Sequence, residues 1–205
     1  SGVKWKPIGD QSYPFTGSFN GDGHTINGLT VEATGYYTGL FGNVTGDIQN
    51  IHLTNVNVKG SQNVGGLVGY TSGNIQSVSV EGVVVGTGAN VGGVVGTYQT
   101  AKKITDVASA VHVTGTQQVG GVVGYMAGGG TAQNVFSTGD VTGTASVGGI
   151  AGYTQSAKLS NMYSTGDVTA NSLVGGLVGQ DSSYSTITNA YATGSVKGNL
   201  QTGGL

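Results

Sequence analysis

Asp140 and Asp167 occupy the same place in two copies of one hexapeptide, STGDVT, and His112 takes the corresponding place one repeat earlier. If the repeats stack as parallel strands, the two aspartate Cα atoms lie about 4.8 Å apart. Carboxylates that close repel one another unless water or a cation relieves them, and a pair about 5 Å apart also imitates the spacing of a retaining glycosidase. Simple solvation is the plainer reading, with a weak calcium or sugar contact as the alternative, so both aspartates stand as ligand candidates. Aromatic rows supply the second kind of chemistry. Tyr70, Tyr125 and Tyr153 share one repeat position, and Phe136, Tyr163 and Tyr191 share another. Rings exposed at strand spacing would suit a polysaccharide or a peptide; an internal stack that closes the fold is the more ordinary arrangement.

Other chemistries lack their signatures. HExxH, GxSxG, GxxxxGK[ST], GxGxxG and the GGxGxD nonapeptide are all missing. His24, His52 and His112 show no paired ligand spacing, so no metal site and no cofactor is expected. Asn20-Gly21-Asp22-Gly23 opens like a calcium loop, but Val31 stands where that loop needs an acid. Its Asn-Gly and Asp-Gly pairs favour a tight hairpin turn instead. The absence of cysteine removes disulfides, thiolate metal sites and cysteine nucleophiles. A polysaccharide lyase or hydrolase would want clustered carboxylates with a cation to hold developing charge. The chain has isolated acids and no arginine, so no enzymatic activity is expected.

The elements that position these residues come from a repeat. VGGLVGY at Val64, VGGVVGT at Val91, VGGVVGY at Val119, VGGIAGY at Val147 and VGGLVGQ at Val174 recur every 27 or 28 residues, with a shorter TGLFG at Thr38. A second block follows each, as in AQNVFSTGDVTG and LSNMYSTGDVTA. On this period Ile48, Ile75, Ile104, Ala132, Leu159 and Ile187 form one apolar column. Ile51, Val78, Val107, Val135, Met162 and Ala190 form a second, and Leu40, Leu67, Val94, Val122, Ile150, Leu177 and Leu205 a third. Asn50, Ser77, Asp106, Asn134, Asn161 and Asn189 make a polar column, expected to hydrogen-bond from coil to coil as stacked asparagines do. β-Branched residues dominate, and a turn signal falls every few residues, so strands are expected and helices are not. Coils of two or three short strands, about six of them, would stack into a rod about 30 Å long.

Composition agrees. Glycine supplies 41 of 205 residues and charged residues only 8%, against about 25% charged in ordinary domains. The periodic glycines and 37% hydrophobic content argue against disorder. A net charge of −2 with seven lysines gives no electrostatic footprint for nucleic acid. No apolar run reaches the roughly 20 residues of a membrane span, so insertion into a bilayer is not expected either. Residues 1–37 lack the repeat motif, hold the only tryptophan and both prolines, and read as an N-terminal cap or lead-in coil. Residues 38–205 carry the repeats, which are expected to continue beyond 205 in a longer protein. The opening Ser1-Gly2 has the look of a cloning remnant.

The G-[LVI]-x-G tetrapeptides resemble the GLUG motif: Gly39-Leu40-Phe41-Gly42, Gly66-Leu67-Val68-Gly69, Gly93-Val94-Val95-Gly96, Gly121-Val122-Val123-Gly124, Gly149-Ile150-Ala151-Gly152 and Gly176-Leu177-Val178-Gly179. The lead-in PFTGSFNGDGHTINGL resembles the stretch that precedes such repeats. The resemblance implies an all-β solenoid, or β-helix, within a secreted or cell-surface bacterial protein such as an adhesin or the non-catalytic part of an M26-type immunoglobulin A protease. It supplies no ligand, because the motif residues are structural. A rod-like stalk or lateral adhesive surface is therefore expected, with a carbohydrate-binding module of a secreted glycan-processing enzyme as the alternative. The expected partners are a host or matrix glycan or protein, with self-association left open.

Overall fold

A computed structural model describes residues 4–205, and the Ser1-Gly2 pair lies outside them. All regular elements among the described residues are β-strands. One coil shows the plan: strand Ile75–Gly86 leads to Ala89–Gly92, then to Val95–Gln99, and the next coil opens at Lys103. Each strand pairs in parallel with its equivalents in neighbouring coils. Three sheets result, one of 11 strands and two of six. The chain is an all-β solenoid. Seven strands form the main path of the long sheet, and six intervals of about 4.8 Å make a stack about 29 Å long.

The strand Lys103–Thr114 shows why the sequence folds this way. From Val107 onward its burial alternates, with Val107, Ser109, Val111 and Val113 inside and Ala108, Ala110, His112 and Thr114 outside. That is the period of two of a half-buried strand. Ile104 and Val107 nevertheless both face the core, although they are three residues apart. Asp106 between them has φ 56°, and this one left-handed residue shifts the alternation by one step. The same φ, between 50° and 56°, recurs at Asn50, Ser77, Asn134, Asn161 and Asn189. Asn and Asp tolerate that conformation at the least cost among side-chain-bearing residues. The two apolar columns on either side run in unbroken register through the long sheet. Together with the Leu40 to Leu177 column they form one continuous buried core as far as Leu159 and Met162; at the last rung Ile187 is exposed and Ala190 only partly buried.

The repeated glycines are explained by the two six-stranded sheets. A Cβ on Gly65 would lie 2.4 Å from the Val68 carbonyl oxygen, and one on Gly96 would lie 2.5 Å from the backbone of Asn63 and Gly69. No real side chain fits at such distances. The two sheets therefore meet backbone to backbone, and the motif glycines are the condition for that approach.

The lead-in residues add a rung to the same stack. Trp5, Ile8 and Phe15 bridge in parallel to Val31, Phe41 and Val44, and Phe19–Asn27 pairs with the strand Ile48–Gly60. The rings of Phe15 and Phe19 pack on Phe41 at 5.7 and 5.2 Å, and the Trp5 indole N–H donates to the Leu40 carbonyl at 2.9 Å. The hairpin expected at Asn20-Gly21-Asp22-Gly23 is not formed. Those residues lie inside a parallel strand, at a register shift between Asn20 and His24. Positive φ at Asp22 (52°) and Gly23 (73°) serves a bulge there, because the turn-forming residues that suit a hairpin suit a bulge equally well.

Candidate functional site

The outer face of the long sheet carries two side-chain columns next to one another. The first is the polar ladder. The Asn50 amide donates to Asn20 at 3.0 Å, Asn134 to Asp106 at 2.9 Å, Asn161 to Asn134 at 3.2 Å and Asn189 to Asn161 at 2.8 Å. The ladder expected from sequence is therefore present, with one break. Ser77 takes a rung where its short hydroxyl has no ladder bond among the described residues, so Asn50 and Asp106 are not linked through it.

The second column runs Thr25, His52, Ser79, Ala108, Phe136, Tyr163, Tyr191. Phe136 and Tyr163 stack at 4.5 Å, and Tyr163 and Tyr191 at 5.5 Å with planes 14° apart. Phe136 and Tyr163 are half-buried and Tyr191 is exposed. The internal stack favoured by the sequence reading is corrected here. In the strand Thr131–Ser137 the inward positions are Ala132, Val135 and Ser137, which places Phe136 on the outward side.

The other aromatic set lies on a different sheet and is discontinuous. Its register reads Tyr70, Thr97, Tyr125, Tyr153, Gln180. Tyr125 and Tyr153 stack at 5.2 Å, but Thr97 separates them from Tyr70, which packs on Tyr37 at 5.5 Å. All three tyrosines are half-buried. Partial burial, and next the Tyr37 phenol, push the Tyr70 phenol above its usual pKa. The two aromatic columns therefore do not form one site.

Asp140 and Asp167 do stack, but they do not confront each other as free carboxylates. Asp140 accepts the backbone N–H of Asp167 at 2.9 Å, and Asp167 accepts that of Ser195 at 2.8 Å. Each carboxylate thus caps the turn of the next coil, and exposed His112 lies 3.6 Å from Asp140. An acid and a base facing a common substrate position are not arranged here.

Two polar groupings escaped the sequence reading. A second left-handed column, Asn63, Asn90, Gln118, Ser146, Leu173 and Gln201, has φ between 49° and 61°. Asn63 accepts from the Asn90 amide at 2.9 Å and from the Thr97 hydroxyl at 2.6 Å. Mixed residue types hid this column; only its fixed offset before each Val-Gly pair, Thr202-Gly203 in the last coil, could have shown it. The second grouping is a corner at which Asp47 accepts the backbone N–H and side-chain amide of Asn74 at 2.8 and 3.1 Å, with Lys102 at 3.3 Å. These bonds, the Asn74 N–H first, hold the Asp47 carboxyl below its usual range. Nearby Tyr98 is fully buried and its hydroxyl is unpartnered; burial first, then the Asp47 charge, push that phenol up.

Comparison with known proteins assigns the repeat. The family described as "The GLUG motif" matches residues 170–197. That segment is a GLUG motif. The matched stretch stacks in register on its equivalents one coil earlier. Part of the chain is similar to halomucin of Haloquadratum walsbyi, 41% identical over 70 residues. Another similarity, 43% over 56 residues, is to a "Putative Gly-rich membrane protein" of Evansella cellulosilytica. These matches cover 31% and 26% of this chain but only 1% and 6% of the two relatives. The crystal structure of a "putative immunoglobulin A1 protease" from Bacteroides ovatus superposes with a TM-score of 0.79 at 24% identity, over 96% of this chain and 67% of that one. At that identity the likeness shows the fold.

Proposed function

We propose that this GLUG solenoid is a non-catalytic segment of a secreted or cell-surface protein, acting as a rigid spacer whose long sheet presents a lateral binding surface. The observation that carries this reading is how the polar side chains are used. The asparagine ladder, the two STGDVT aspartates and the Asp47 corner all bond to the coil above or below, which is how a rod is built and not how a reaction centre is built. The similarity to halomucin and to a Gly-rich membrane protein supports a surface location. Amide hydrogen exchange on the protein tests the stacked coils directly. Strong protection of the inward strands in every interior coil is expected, and protection confined to one part of the chain would remove the basis for the reading. A second reading, carbohydrate binding, is favoured by the Phe136, Tyr163 and Tyr191 row, because stacked outward rings offer the flat apolar contact that sugar rings accept.

A further inference from the structure

Both columns on the outer face of the long sheet fail at the same place. The ladder loses its amide at Ser77, between Asn50 and Asp106, and the ring column drops to Ser79 and Ala108 between His52 and Phe136. The consequence is an open hollow of about 480 Å³ lined by Asp22, Asn50, His52, Ser77, Asp106 and Ala108 with the buried Val78 in its floor. Two rungs without a large side chain leave about 10 Å of sheet face uncovered. Phe136 borders that gap: Tyr163 covers one side of its ring, and its register partner on the other side is Ala108. The rim holds hydrogen-bonding groups with capacity to spare. Asp106 uses one carboxylate oxygen for Asn134, which leaves the second free to accept. Asn50 gives its amide to Asn20, which leaves its carbonyl. His52 is held by Ser79 through Nδ1 at 2.7 Å, which leaves Nε2.

We propose that this hollow binds one pyranose ring of a neutral glycan, the sugar continuing the Phe136–Tyr163–Tyr191 stack while its hydroxyls bond Asp106, Asn50 and His52. A flat apolar floor beside a ring face, with carboxylate, amide and imidazole on the rim, matches a molecule that is apolar on its faces and hydroxylated at its edge. The rim's charge is acidic, from Asp22 and Asp106, and no lysine lines the hollow. Anionic sugars such as uronates are therefore disfavoured. The inference rests on the carbohydrate reading above and narrows it to one place; the rod does not depend on it.

The test is NMR titration of the full chain with glucose, galactose, mannose, N-acetylglucosamine, lactose and cellobiose, with glucuronate and N-acetyltyrosine amide as comparators. At least one neutral sugar is expected to shift the amides of residues 77–79 and 106–108, with a Kd on the order of 1 mM, the weak end of specific recognition for an open site. Free sugars and disaccharides act in separate arms, so a preference for lactose or cellobiose identifies the end of a longer glycan as the source. Ala108→Tyr places in the gap the ring that the same column already uses at 163 and 191. It is expected to fold and to weaken sugar binding at least tenfold. If Ala108→Tyr binds sugar unchanged while Tyr191→Ala does not, the rings bind glycan but the hollow does not, and the proposal falls while the broader reading stands. No response to any neutral sugar overturns both. A response to glucuronate or N-acetyltyrosine amide stronger than to every neutral sugar overturns the assignment of ligand class.

Discussion

Replacing Asn134 tests whether the ladder contributes to stability through its bonds, its backbone conformation, or both. Asn134 donates to Asp106 at 2.9 Å and accepts from Asn161 at 3.2 Å, and it holds φ 55°. Partly exposed hydrogen bonds are worth about 0.5–1 kcal/mol each, the low end of the usual range, so the loss of two costs about 1–2 kcal/mol. Alanine in the left-handed region adds about 1 kcal/mol. Asn134→Ala should therefore lose about 2–3 kcal/mol, lowering Tm by about 4–12 °C for a chain of this size. Asn134→Gly, which accepts the φ without strain, should recover about 1 kcal/mol of that. Urea titration followed by circular dichroism measures all three proteins. The reasoning fails if Ala lies within about 0.5 kcal/mol of the parent, or if Ala and Gly cost the same, since φ would then play no part.

Three further outcomes follow from the same geometry. Gly121→Ala would put a Cβ 2.1 Å from the Gly149 carbonyl oxygen and 2.2 Å from the Ser137 hydroxyl; it should cost about 3 kcal/mol or more, whereas Gly35→Ala, with open space around it, should be close to neutral by the same titration. Leu173 holds φ 54° in the second left-handed column, so Leu173→Asn should raise the unfolding free energy by about 1 kcal/mol, and no gain would show that strain at that rung is already relieved. The Asp47 carboxyl is held below its ordinary value by Asn74, then by Lys102. A lowered folded pKa means stability that is fully present above the unfolded value of about 3.9 and is lost as pH falls through the folded value. Asp47→Asn should flatten the dependence of the urea midpoint on pH below about 4, and an unchanged slope there would contradict the assignment.

The columns that carry the fold were legible because parallel stacking repeats one environment every 27 or 28 residues, so Ile48 and Leu159, both buried, answer to the same packing constraint although four coils separate them. The asparagine ladder was legible for the same reason. What sequence could not supply was direction. A strand period of two sends Phe136 outward only if the left-handed residue at Asn134 is known to shift the alternation, and nothing in the residue types states that shift. The Asn20 to Gly23 segment shows a related limit. Positive φ is encoded there, but a hairpin and a bulge draw on the same residues, and only the partner strand Ile48–Gly60 decides between them. The aspartates of STGDVT were placed correctly in adjacent coils. Their bonds to the Asp167 and Ser195 N–H groups depend on turn geometry that spacing alone does not reveal.

In this solenoid the inward and outward positions answer to different constraints. Inward positions and motif glycines must recur, because each touches its own copy in the next coil: a Cβ at Gly121 would strike Gly149 as one at Gly93 would strike Gly121. Outward positions meet only solvent and the rung on either side, so they accept several residue types without a clash and can be kept for what they bind. Regularity on the outer face therefore reports stacking, and the informative residues are those that break a row. Ser77 interrupts the amides and Ala108 interrupts the rings within one hollow, although an asparagine at 77 and a ring at 108 would extend bonds and stacks that the later coils already make. Stacking alone would favour filling both rungs. That two neighbouring columns lose stabilising side chains together, leaving acceptors on Asp106 and Asn50 unused, is the pattern expected where a ligand supplies the missing rung.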